Sequence, residues 1–193
     1  MKIDPKRIEG LWDEGYSLDL HTLSSTMIAE GKWDNVRSEI GEALNRLKFR
    51  SDMSQVGPIA STVVDFLKAE AFVESLDAIV PIPPSDLSRK HQPVIEVAKS
   101  VGKALGLTVS EDYLVKLKAT PGLKEIEDPL ERAKILTGVF AVADQRFAGK
   151  SILLFDDVFR SGTTLNMAAS VLKAKGKVGL IYVVTLTRTR TKR

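Results

Sequence analysis

Asp156 and Asp157 stand between an apolar run, Ile152-Leu153-Leu154-Phe155, and a short polar loop, Arg160-Ser161-Gly162-Thr163-Thr164. Two adjacent carboxylates can accept hydrogen bonds from a vicinal diol or hold a magnesium ion through water. A loop of glycine and hydroxyls leading into a helix suits an anion, because the first N–H groups of a helix lack internal partners. Gly162 allows the tight turn and the close approach of backbone to a phosphate. Ser161, Thr163 and Thr164 add hydroxyl donors. A phosphate beside a diol is a ribose 5-phosphate. The plainer alternative is a polar strand end followed by an ordinary helix cap, but a cap needs one such residue and this loop holds several.

The flanking segments have the character needed to hold these groups. The apolar run reads as a strand buried on both faces. After the loop, Leu165, Ala168, Ala169 and Leu172 form the inner stripe of an amphipathic helix. Upstream, the periodicity predicts helices over 37–50, with Ile40, Ala43, Leu44 and Leu47 inward, and from Pro58 to about 69, with Ile59, Val63, Phe66 and Leu67 inward. The basic end of the first, with Arg46, Lys48 and Arg50, reads as exposed and as complementing the helix dipole. A short strand over 77–81 leads into Pro83-Pro84-Ser85 and the cations Arg89 and Lys90. That segment reads equally as a rigid turn or a functional loop.

A strongly periodic helix follows from Pro93, with Val94, Val97, Ala98, Val101, Ala104 and Leu105 as its stripe and Gly106 as its stop. Strands are expected over 107–109, 114–117, 139–142 and 178–187. Residues 118–128 read as a mobile loop, and Asp128-Pro129 as a capped helix start. Strand–helix alternation in this half predicts an α/β fold: a mainly parallel sheet with helices on both faces. Ligands of such sheets bind beyond the carboxyl ends of the strands, where Asp156, Asp157 and Pro83 to Ser85 are expected.

The first 35 residues show no clean period. Trp12, Tyr16, Leu18, Leu20 and Trp33 predict irregular or short extended structure packed on the main domain. His21, in the alternating stretch LDLHTLS, reads as structural. A soft boundary near Ser75 separates this helical and irregular N-terminal part, 1–75, from the main domain, 76–193.

At 193 residues with 44% apolar side chains, the chain can bury a real core. It has no cysteine, which excludes disulfides, thiolate metal sites and a cysteine nucleophile. No signal-peptide pattern and no membrane-length apolar run is visible, so a cytoplasmic protein is expected. The net charge of +3 suits nucleic acid and equally a polyanionic small molecule. The basic tail 188–193 reads as solvated or as a binding arm.

The stretch ILLFDDVFRSGTT resembles the phosphoribosyl pyrophosphate (PRPP) motif of type I phosphoribosyltransferases. Taken with NRLKFRSD, DAIVPIPPSDLSRKHQPVIEVAKSVGKALGL and LVKLKATPGLKEIEDPLERAKILTGVFAV, the chain is similar to the ComF-like members over roughly 37–187. The resemblance implies that Asp156 and Asp157 bind the ribose hydroxyls and that Arg160 to Thr164 wrap the 5-phosphate. It implies a pyrophosphate loop at Pro83, Pro84 and Ser85 with Arg89 and Lys90 nearby, and a closing loop bearing Lys116, Lys118 and Thr120. Magnesium is implied with the PRPP, touching Asp156 and Asp157 indirectly.

Two departures stand out. The four-cysteine zinc ribbon that opens many ComF-like chains is missing, so no zinc is expected. The family's Arg-Gly-Phe-Asn-Gln is reduced to Arg89-Lys90-His91-Gln92. The implied activity is phosphoribosyl transfer to a nitrogen acceptor. A non-catalytic PRPP- or nucleotide-binding regulator, linked to DNA uptake, is the second implication, and nucleobase salvage the third. Expected partners are PRPP and a small acceptor. Nucleic acid and a second copy of the chain stay open, and no membrane is expected.

Overall fold

A computed structural model describes residues 1–85, 91–117 and 138–190. Fourteen elements carry the argument. They are β1 (Lys6–Arg7), β2 (Glu14–Ser17), β3 (Thr22–Ala29), β4 (Lys32–Arg37), α1 (Glu39–Arg50), α2 (Val56–Lys68), β5 (Ala78–Pro81), α3 (Pro93–Leu105), β6 (Thr108–Val109), β7 (Leu114–Lys116), β8 (Phe140–Val142), β9 (Ser151–Phe159), α4 (Thr163–Ala174) and β10 (Leu180–Arg188).

A six-stranded sheet in the order β1-β2-β10-β9-β5-β6 forms the centre. All its pairings are parallel except β1 with β2. The apolar run of β9 has both faces covered, which is why it does not alternate with polar residues. Leu153 and Phe155 face Ile79, Val184 and Leu186 and the inner stripes of α1, α2 and α3. Ile152 and Leu154 face Ala78, Val80, Ile181 and Val183, under Leu165, Ala168, Ala169 and Leu172 of α4. The expected mainly parallel sheet with helices on both faces is therefore the observed architecture.

Local signals explain the element ends. Ser38 caps α1 by accepting the Gly41 N–H at 3.1 Å, with Glu39 and Glu42 in the first turn. Pro93 opens α3, and Gly106, at φ 70°, closes it. On that helix Ala104 is exposed rather than part of the buried stripe.

The first 35 residues are more ordered than the missing period suggests. β2 pairs in parallel with β10 at one edge of the central sheet. The Asp13 carboxylate accepts the Ile181 N–H at 2.8 Å and pairs with Lys173 of α4 at 2.9 Å. Past β2 the chain keeps company with β10 to its end: the Leu18 N–H donates to Thr185 at 3.0 Å and the His21 N–H to Arg188 at 2.8 Å. A strand this short cannot show a period of its own, and its pairing is with the far end of the chain. Trp33, expected to pack on the main domain, instead lies exposed on the β3–β4 hairpin.

Leu153→Ala should cost about 2–5 kcal/mol, because a fully buried side chain leaves a cavity between sheet and helices. Urea unfolding should show a lower midpoint with an unchanged slope. A loss under 1 kcal/mol would contradict the packing described.

Candidate functional site

β9 runs longer than its apolar core and carries Asp156 and Asp157 within the strand, at its carboxyl half. Successive side chains of a strand point to opposite faces. Asp156 therefore shares a face with Ile152 and Leu154, and Asp157 shares one with Leu153 and Phe155. The second placement is confirmed by an ion pair: Lys48 Nζ of α1 lies 2.6 Å from Asp157 Oδ2, with both side chains under 20% exposed (19% and 18%). Lys48 was read as part of an exposed basic helix end. It belongs to the site because α1 packs on the face to which Asp157 points. Nothing in the local sequence marks that contact, which spans the length from α1 to β9.

Asp156 sits differently. Its carboxylate accepts the Asp157 backbone N–H at 2.8 Å. Burial, and next the negative charge of Asp157, push its pKa up to about 8, against the opposing pull of that N–H bond and of Lys48. Asp156 therefore holds its proton well above the usual carboxylate range.

The loop after β9 turns at Gly162, whose φ is 71°. A Cβ there would meet the Phe159 ring at 3.0 Å, so glycine is required by both conformation and space. Gly162 is the N-cap of α4, and no side chain caps the first turn. Ser161 and Thr163 bond each other through their hydroxyls at 2.9 Å. Arg160 is exposed. The start of α4 is therefore a helix N-terminus of uncapped amides behind a glycine turn, the geometry that receives an anion.

β5 lies beside β9 in register, Pro81 opposite Phe155, and the Ile82 N–H donates to Phe155 at 2.8 Å. Pro83, Pro84 and Ser85 consequently leave the sheet next to the acidic pair. Lys116, at the end of β7, donates to Ser85 Oγ at 3.2 Å, and burial lowers its pKa. The structure thus brings together Asp156, Asp157, Arg160 to Thr164, Pro83 to Ser85 and Lys116 along one edge of the sheet. Arg89, Lys90, Lys118 and Thr120, the loop 118–128, the helix start at 128–131 and the tail end 191–193 lie outside the described residues.

Lys48 already pairs with Asp157, at 2.6 Å. Among the described residues there is no group of three or more metal-ligating side chains. Among the described residues, no helix is long and apolar enough to cross a membrane.

No protein-family model matches the chain, and no curated protein does. Two crystal forms of a hypoxanthine phosphoribosyltransferase from Staphylococcus aureus match it at 15% identity with TM-scores of 0.42 and 0.41. These matches cover 70% and 73% of this chain, and 64% and 70% of those. The first therefore spans less than two thirds of that enzyme's length. An adenine phosphoribosyltransferase from Leishmania donovani matches at 10% identity and a TM-score of 0.42, over 96% of this chain and 86% of that one. Likeness at this level carries no weight for substrate or activity.

The raised Asp156 pKa has a measurable sign. The folded protein keeps a proton that the unfolded chain, with an ordinary value of 3.8, has released, so the parent loses stability as pH rises from about 4 through about 8. Asp156→Asn removes that dependence. Its melting temperature should exceed the parent's by more at pH 8 than at pH 5. An equal difference at both pH values would show that Asp156 is not held protonated.

Proposed function

We propose that the chain binds magnesium–PRPP and transfers its phosphoribosyl group to a nitrogen acceptor, releasing pyrophosphate. One observation carries this reading: an acidic pair at the carboxyl end of a buried strand, followed at once by a glycine-turned, uncapped helix N-terminus. The first element suits a ribose diol and the second its 5-phosphate. Both lie beside the loop of β5, on the side where a parallel sheet receives ligands.

The roles follow from the chemistry of each group. The amides at the start of α4, with the Ser161, Thr163 and Thr164 hydroxyls, hold the 5-phosphate, and Arg160 adds a cation at the rim. Asp157 accepts from one ribose hydroxyl. Asp156, protonated near neutral pH, can donate as well as accept, so it suits a hydroxyl partner of either sense. Pro83, Pro84, Ser85 and Lys116 receive the pyrophosphate, together with Arg89 and Lys90. Magnesium, arriving with the substrate, neutralises the leaving pyrophosphate. Bond breaking at C1 leaves positive charge on the ribose, which a carboxylate of the acidic pair would stabilise.

A second reading, PRPP binding without transfer, is favoured by the Lys48–Asp157 pair. A carboxylate already neutralised by an ammonium group offers less to a cationic transition state. Pyrophosphate release from PRPP in a screen of amines and nucleobases separates the two readings, and a nucleobase hit would favour salvage.

Binding can be tested before any acceptor is known. Asp157→Asn should weaken magnesium–PRPP binding by about ten- to a hundredfold in calorimetric titration, the loss of a charge-assisted hydrogen bond of roughly 1.5–3 kcal/mol. Gly162→Val should bind more weakly still and melt lower, since its Cβ meets Phe159. Lys103→Ala, exposed at the end of α3, is the control. Parent-like binding by a folded Asp157→Asn protein would exclude a phosphoribosyl site here.

A further inference from the structure

His21 comes from the N-terminal segment, far in sequence from the acidic pair, yet it stands beside it. Its main chain is clamped. The N–H donates to Arg188 at the end of β10, at 2.8 Å. The carbonyl lies against Gly41 of α1, where any Cβ would collide with it. The ring is half-buried and reaches the hydroxyl of Thr187, with Nδ1 3.3 Å from Oγ1. That hydroxyl in turn donates to the backbone carbonyl of Asp157, at 3.2 Å.

With both contacts made as hydrogen bonds, the proton positions are fixed. A carbonyl can only accept, so the Thr187 proton points to Asp157. The oxygen of Thr187 then has only lone pairs left for His21, so Nδ1 must carry a proton and donate. Four charged groups act on the ring: Arg37 from β4, Lys48 from α1, Asp157 from β9 and Arg160 from the phosphate loop. Burial is the largest influence, and the three cations outweigh the one carboxylate, so the imidazole is held below its usual pKa and neutral. Nδ1 is then the only proton-bearing nitrogen, and Thr187 fixes the tautomer.

We propose that His21 is a positioning residue of the ribose site: through the Thr187 hydroxyl, its Nδ1–H sets the peptide that carries Asp157. This role rests on the ribose-site reading above. It gives the N-terminal segment a function that its short strands do not otherwise explain, because β2 and the residues after it bring His21 to the carboxyl end of β10. It also explains why a threonine closes the inward-facing part of β10. A valine of the same shape could neither accept a hydrogen bond from the imidazole N–H nor donate one to the Asp157 carbonyl.

The test uses the full chain and magnesium–PRPP as the probe, with amide hydrogen exchange over 151–159 as a second readout that needs no ligand. His21→Leu and Thr187→Val should each weaken binding roughly three- to tenfold and speed exchange in that segment, and the double variant should be no worse than either alone. His21→Asn places an amide N–H where Nδ1–H was and should restore both readouts towards the parent. Additive losses, or an Asn variant as impaired as Leu, would overturn the proposal. Melting curves exclude variants that merely fail to fold. If the parent itself does not bind PRPP, the functional reading fails, and the exchange data alone decide the positioning role. Unchanged exchange over 151–159 in His21→Leu would then overturn it.

Discussion

The constraint on which the rest depends is the burial of β9 between two layers. For as long as the strand is covered on both sides, every side chain must be apolar. Where the cover ends, the first polar residues emerge at the boundary between low dielectric and solvent. Asp156 and Asp157 occupy that boundary, and their alternation sends one to each face. The difference between them follows from this alone. Asp157 meets α1 and acquires Lys48. Asp156 has its pKa raised by burial and by the charge of Asp157. A pair that looks symmetrical in the sequence is chemically unequal in the fold.

The same boundary fixes the neighbouring parts. Parallel pairing in register aligns the carboxyl ends of β5, β9 and β10, so the segments that leave them are adjacent whatever their sequence separation. The proline loop therefore lies beside the acidic pair and the glycine turn beyond it. A carboxyl held protonated beside another carboxylate costs the fold stability as pH rises from about 4 through about 8. Sites of this kind are maintained for what they bind rather than for stability.

Much of this was legible in the sequence. The apolar run of β9, the stripes of α1, α2 and α4, and the Gly106 stop each follow from local period or backbone chemistry, and the structure places them as read. The turn at Gly162 was legible for the same reason. What could not be read was held by distant partners. Lys48 looks like any basic residue at a helix end until α1 is laid on the correct face of the sheet. β2 is too short to show a period and exists because β10 offers it an edge. His21 gained its place through contacts with Arg188, Gly41 and Thr187. The exposed Trp33 reversed an expectation because an aromatic residue on a two-stranded hairpin has no layer to pack against.

The central claim is that one edge of this sheet receives a ribose phosphate, with the phosphate on the first turn of α4 and the diol at Asp156 and Asp157. The most direct measurement is a crystal structure of the chain with magnesium–PRPP. The account predicts the 5-phosphate within hydrogen-bond reach of the backbone N–H groups from Ser161 to Leu165, with the ribose hydroxyls on the two carboxyl groups. A phosphate bound elsewhere on the chain, with the α4 N-terminus carrying only solvent, would contradict it.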